Sequence, residues 1–126
     1  VVMVKSQYLS GTTDAAGDAT INATVPAYGR LVAVEWIDGD LADGVDAVLS
    51  VTSTDSSVDN TLLTLTDANI DAWYYPLAAA HDNAGAGVTF DGANEIYVQQ
   101  VVNGMLKLVI SSGGDTKTGG AVVYYE

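Results

Sequence analysis

The 126-residue chain carries 16 acidic side chains against four basic ones, a formal net charge of −12, with 48% hydrophobic residues and no cysteine. Without cysteine there is no disulfide scaffold and no thiolate metal site. Nucleic acid is a poor partner, because phosphate binding draws on clustered Lys and Arg that release counterions, and Lys5, Arg30, Lys107 and Lys117 are scattered along the chain.

The length points to a single domain over residues 1–126, able to bury about two-thirds of its unfolded surface in one core. No apolar run approaches the ~20 residues of a membrane helix, so no membrane partner is expected. Residues 1–8 lack the basic leader, apolar core and cleavage site of a signal peptide, which leaves a cytoplasmic chain or one whose leader has been removed.

Short β-branched runs separated by Gly and Asp clusters predict strands at residues 2–9, 19–25, 31–37, 45–52 and 62–66. Residues 66–76 break the alternation. Thr66 can cap a helix, Ile70, Trp73, Tyr74 and Leu77 fall at i, i+3, i+4 and i+7, and Pro76 ends the run, so one short helical turn is expected there. Residues 78–87 are rich in small side chains and read as an irregular loop. Three more strands are expected at residues 96–101, 105–111 and 121–125, with Asn103-Gly104 forming a two-residue type I′ hairpin turn between the first two. Asp14 to Asp18, Asp38-Gly39-Asp40 and Ser112-Gly113-Gly114 supply further reversals. The expected fold is all-β: an antiparallel sandwich or barrel, jelly-roll-like, with residues 1–8 as a candidate N-terminal interaction arm.

The residues offer little for catalysis. His81 is the only histidine, and there is no Gly-x-Ser-x-Gly elbow, no cysteine nucleophile and no Gly-Lys-Ser/Thr phosphate loop. Glu35, Glu95 and the aspartates leave an acid-pair hydrolase open, but nothing singles out two of them. Asp38, Asp40, Asp43 and Asp46 are the candidate metal ligands, since Ca²⁺ gathers carboxylates. Their spacing departs from an EF-hand, where Gly stands sixth and Glu twelfth; here those positions hold Asp43 and Leu49. A solvated turn whose acids cap backbone N–H groups is expected instead, with no catalytic residue and no cofactor.

The aromatics bear on partners. In the last strand Val123 and Tyr125 share one face while Val122 and Tyr124 share the other, and a strand apolar on both faces is covered on both. A partner subunit is the expected cover. Val1, Val2, Met3 and Val4 could add to a neighbour's sheet edge, and with Trp73, Tyr74, Tyr75, Tyr124 and Tyr125 they form the candidate interface set. Exposed Trp and Tyr would equally suit a secreted carbohydrate-binding or adhesion module. Aromatics lining one open groove would favour sugar; aromatics sealed at a subunit contact would favour assembly.

Three stretches carry a resemblance: Thr12-Thr13-Asp14-Ala15-Ala16-Gly17-Asp18-Ala19-Thr20, Tyr28-Gly29-Arg30-Leu31-Val32-Ala33-Val34-Glu35-Trp36 and Leu41-Ala42-Asp43-Gly44-Val45-Asp46. Val101 to Val109, Ser112-Gly113-Gly114 and the closing Gly119 to Glu126 continue it. Over most of its length the chain resembles small virion proteins of tailed bacteriophages and prophages. The resemblance implies a head decoration (cement) or minor capsid protein, made in the bacterial cytoplasm and bound to the outer surface of the major capsid protein. It also implies self-association, with a trimer as the expected state, and it admits a tail or head-completion component. The matching residues are turns and strands, so the resemblance assigns no binding residue.

Overall fold

The computed structural model describes residues 3–126, and among these there is no helix. Ten strands follow in order: β1 (Lys5–Thr12), β2 (Ala19–Asn22), β3 (Ala27–Ile37), β4 (Asp46–Ser53), β5 (Asp59–Leu65), β6 (Ala72–Tyr74), β7 (Leu77–Ala79), β8 (Tyr97–Gln99), β9 (Val101–Ser111) and β10 (Thr118–Tyr125). All pairings are antiparallel, along the path β1-β10-β3-β9-β4-β5, with β2 also on β9 and β6 also on β3. The all-β expectation holds. The path is open rather than closed into a barrel, and β7 and β8 form a separate two-stranded sheet.

β3 ties the two layers together. Its first residues, Ala27 to Arg30, pair with β9, while Leu31 to Ile37 pair with β10 and Val34 to Trp36 also pair with β6. One layer is therefore β1-β10-β3-β6 and the other is β5-β4-β9, whose far edge is shared by β2 and the start of β3. The strand changes layer between Arg30 and Leu31, just past Gly29, where a side chain would overlap the carbonyl oxygen of Glu126.

Strict alternation builds the core. Along β9, Val102, Gly104, Leu106, Leu108 and Ile110 point inward and are buried, whereas Val101, Asn103, Met105, Lys107 and Val109 point out. These meet Leu31, Val34 and Trp36 from β3, Ala47, Leu49 and Val51 from β4, and Val123 and Tyr125 from β10. Trp36 is fully buried, and its indole Nε1–H donates to the Ala68 carbonyl at 2.9 Å, so its one polar atom is satisfied inside the core.

Two local expectations give way. Asn103 and Gly104 form no turn: they lie inside the unbroken β9, where Gly104 faces Ala27 on one side and Ser53 on the other. The predicted helical turn is replaced by β6, because the otherwise free edge of β3 offers main-chain partners at Val34, Glu35 and Trp36. Ile70, the first residue of that spacing, is 73% exposed. The strand expected at residues 96–101 is divided at Gln100, with β8 turning to β7 while β9 starts afresh.

Candidate interaction surface

Two of the four aspartates of the Asp38 to Asp46 loop hold separate backbone groups. Asp40 Oδ1 accepts the N–H of Thr118 at 2.6 Å, and Asp46 Oδ1 accepts that of Asp67 at 3.0 Å. The N–H of Asp38 itself donates to Asp71 Oδ1 at 2.8 Å. Among the described residues no three His, Cys, Asp or Glu side chains converge as metal ligands. The loop works as a clasp between strand ends.

Asp38 bears a cost in this clasp. Its Oδ1 is buried without a hydrogen-bond partner, and burial, followed by the nearby charges of Asp71, Asp43 and Asp40, pushes its carboxyl above the ordinary 3.8. A carboxyl that holds its proton more tightly in the folded chain favours folding below that ordinary value and loses the contribution as pH rises through the raised one. Ionised Asp38 therefore burdens the fold at neutral pH. Asp38→Asn is expected to raise the melting temperature modestly at pH 7, with the gain shrinking as pH falls towards 3.8; scans of both proteins across the acid range check this, and a lower melting temperature at pH 7 would contradict it.

The candidate interface residues part company. Val1 and Val2 lie outside the described residues; Met3 and Val4 are exposed ahead of β1 and belong to no strand. Tyr125 is taken by the core, where its hydroxyl accepts a hydrogen bond from Gln7 Nε2 at 3.2 Å. Tyr74 packs partly buried against the same core. Tyr124 lies on the outer face, donating to Glu35 Oε1 at 3.1 Å and stacking on Trp73 with ring centroids 5.3 Å apart. Burial and then Glu35 hold its hydroxyl above the usual tyrosine range. At Tyr124 this face, for which a partner subunit is the expected cover, is instead covered by Trp73 of β6 in the same chain. Tyr75, beside it, is left 67% exposed.

Sequence reasoning missed the larger feature, an arm spanning residues 75–101. Its stem is β7 paired with β8, Leu77 opposite Gln99 and Ala79 opposite Tyr97. The stem ends at a three-way junction in which Ala80 N–H donates to the Ile96 carbonyl, Val88 N–H to Ala80 and Ile96 N–H to Val88. Two loops spring from the junction, closed by the bridges His81 to Gly87 and Thr89 to Glu95. Each is held by one aspartate. Asp82 accepts the N–H groups of Ala84 and Ala86, Asp91 those of Ala93 and Asn94, and these bonds keep both carboxyls below the usual range. His81 sits at the base of the first loop and is exposed, as a loop histidine would be.

The arm contributes nothing to the buried core, whose members fall on either side of it in sequence, at Ala68 and Val102. It nevertheless presents Tyr75, Leu77, Phe90, Tyr97, Val98 and Val101 to solvent, each half or more exposed except Val98, which is 48% exposed. At the arm's root Arg30, Val98, Gln99 and Val101 line an open groove of about 460 Å³. Other open grooves hold single tyrosines, Tyr8 in one and Tyr28 in another.

No model of a known protein family matches the chain, and no curated protein does.

Proposed function

We propose that this protein is a head decoration protein of a tailed bacteriophage, binding the outer surface of the capsid as a small homo-oligomer, with a trimer as the expected state. The observation that carries the reading is the arm: a segment that adds no core yet displays apolar side chains on a strongly acidic sandwich is built for assembly. The resemblance of the strand and turn sequences to phage virion proteins supplies the setting. A tail or head-completion position is the neighbouring reading within that setting.

The mechanism is multivalent. Charge steers each subunit, with its net −12, towards a basic capsid surface. Several modest contacts from one oligomer then act together, and effective concentration raises their combined strength by about 10²–10⁴ over a single contact. The work done on the particle is mechanical, bridging neighbouring capsid subunits.

The test is co-sedimentation with assembled heads purified without the protein. Saturable binding at a fixed ratio to the capsid subunit is expected, with tighter binding of the oligomer than of any monomeric variant. High salt should slow attachment, because exposed charges are screened within about 8 Å at physiological ionic strength and more closely above it. It should leave attached oligomers in place, since all their contacts must break together. Equal stripping and blocking by the same salt would contradict this mechanism, and absence of saturable binding would remove the proposal.

A further inference from the structure

The arm holds two unlike patches at its two ends. Beyond the junction, Phe90 is 70% exposed at the start of the Asp91 loop. At the root, the groove joins the apolar walls of Val98 and Val101 to the cation of Arg30. Among the described residues Arg30 makes no ion pair and no side-chain hydrogen bond, while the salt bridge that is formed joins Lys107 to Asp59 at 3.1 Å. Arg30 is also isolated in sequence, with no Lys or Arg between it and Lys107.

The loops carry the complementary character. Residues 75–101 contain Asp82, Asp91 and Glu95 and no Lys or Arg, so the tip pairs an aromatic ring with negative charge, and the groove pairs apolar walls with positive charge. Resting on the reading of this protein as a self-associating assembly module, we propose that the Phe90 tip of one copy seats in the Arg30 groove of a second copy, linking the copies head to tail.

The form of assembly follows from the two patches being different. Joined head to tail, a contact between unlike patches is heterologous and repeats from copy to copy, closing into a ring where the rotation per copy allows. The ring needs no basic surface from another protein, because Arg30 supplies the countercharge, and its arms cover the apolar side chains that a lone subunit leaves in water. Placing Phe90 between Val98 and Val101 removes a large aromatic from solvent, the kind of buried anchor that dominates interface energetics.

Sedimentation equilibrium of the full chain, without heads, tests this. The wild type is expected to form closed oligomers at tens of micromolar. Phe90→Ser, which removes only the tip, and Arg30→Glu, which reverses only the groove, should each be monomeric and weaken association by at least about 100-fold. Their equimolar mixture is the deciding sample. The Arg30→Glu copy still offers a native tip and the Phe90→Ser copy a native groove, so one contact is restored and a one-to-one heterodimer should appear at about 100 μM, with no larger species.

A monomeric wild type, a ring that survives either substitution, or a mixture that remains monomeric would each overturn the proposal. Both residues lie outside the core, and unchanged melting curves verify the fold. Val98→Glu, on the groove's other wall, replaces Arg30→Glu if that variant disturbs its strand. Head binding is measured separately: intact attachment by a monomeric wild type removes this inference and the oligomeric mechanism while leaving attachment to heads, whereas rings that ignore heads remove the decoration reading alone.

Discussion

Gly104→Ala is expected to destabilise the protein by about 3 kcal/mol or more, a large share of the ~5–15 kcal/mol that holds a typical domain together. Gly104 sits at φ 150°, where an L side chain strains the backbone by about 1–3 kcal/mol. The new Cβ would also overlap the carbonyl oxygen of Thr52 and come within 2.9 Å of the Thr54 nitrogen. Those atoms belong to the strand end to which β9 is laddered, so relief requires breaking β4–β9 pairing. Gly85→Ala separates the two causes. Its φ is 84° but nothing lies within 4 Å of the added atom, so only backbone strain remains, about 1 kcal/mol. Urea unfolding of the two variants measures the difference; equal losses would mean that the clash with β4 is relieved at no cost.

Trp36→Ala should be the most damaging side-chain truncation. Emptying a fully buried Trp site costs about 3–5 kcal/mol, and the Ala68 carbonyl loses the donor that satisfied it, about 1 kcal/mol more. Trp36→Phe keeps most of the volume and is expected to lose less than half as much. Trp73, the second of the two tryptophans, remains as a fluorescence reporter on the surface against Tyr124. Guanidinium titrations followed through it would give the two losses, and a cost below about 2 kcal/mol for the alanine variant would show that the core collapses onto the vacated site.

The strands that carry the core were legible because their pattern is their own. Val102, Leu106, Leu108 and Ile110 alternate with outward residues, and the same holds at the end of β10, while β4 buries Leu49, Ser50 and Val51 in succession. That the acids of the Asp38 to Asp46 turn would cap backbone N–H groups was legible from their type, but not which ones, since Asp46 and Asp40 reach Asp67 and Thr118 far along the chain. Asn103-Gly104 was misread because the dipeptide's turn preference is local. In the fold, Asn103 lies between Tyr28 of β3 and the Thr54 N–H just past β4, and Gly104 between Ala27 and Ser53, and paired backbone on both edges outweighs that preference. Ile70 to Leu77 was misread because helical spacing over four positions can arise by chance, and the open edge of β3 then captured Ala72 to Tyr74.

The arm escaped detection because its strands have three residues each, too short for alternation to register, and its order comes from hydrogen bonds among Ala80, Val88 and Ile96, which lie eight or sixteen residues apart. The fate of the aromatics was equally hidden. Tyr124 and Tyr125 are neighbours in sequence, yet one stacks on Trp73 and the other is sealed beside Gln7, at the opposite end of the chain. The amino-acid sequence by itself determined the all-β class, the acidic cysteine-free character and the alternation of the long strands, because each is written in composition or in successive residues. Only the tertiary structure decided which edges paired, which aromatics stayed in water and where Arg30 met Val98 and Val101, because those outcomes depend on the segments that long-range pairing brings alongside.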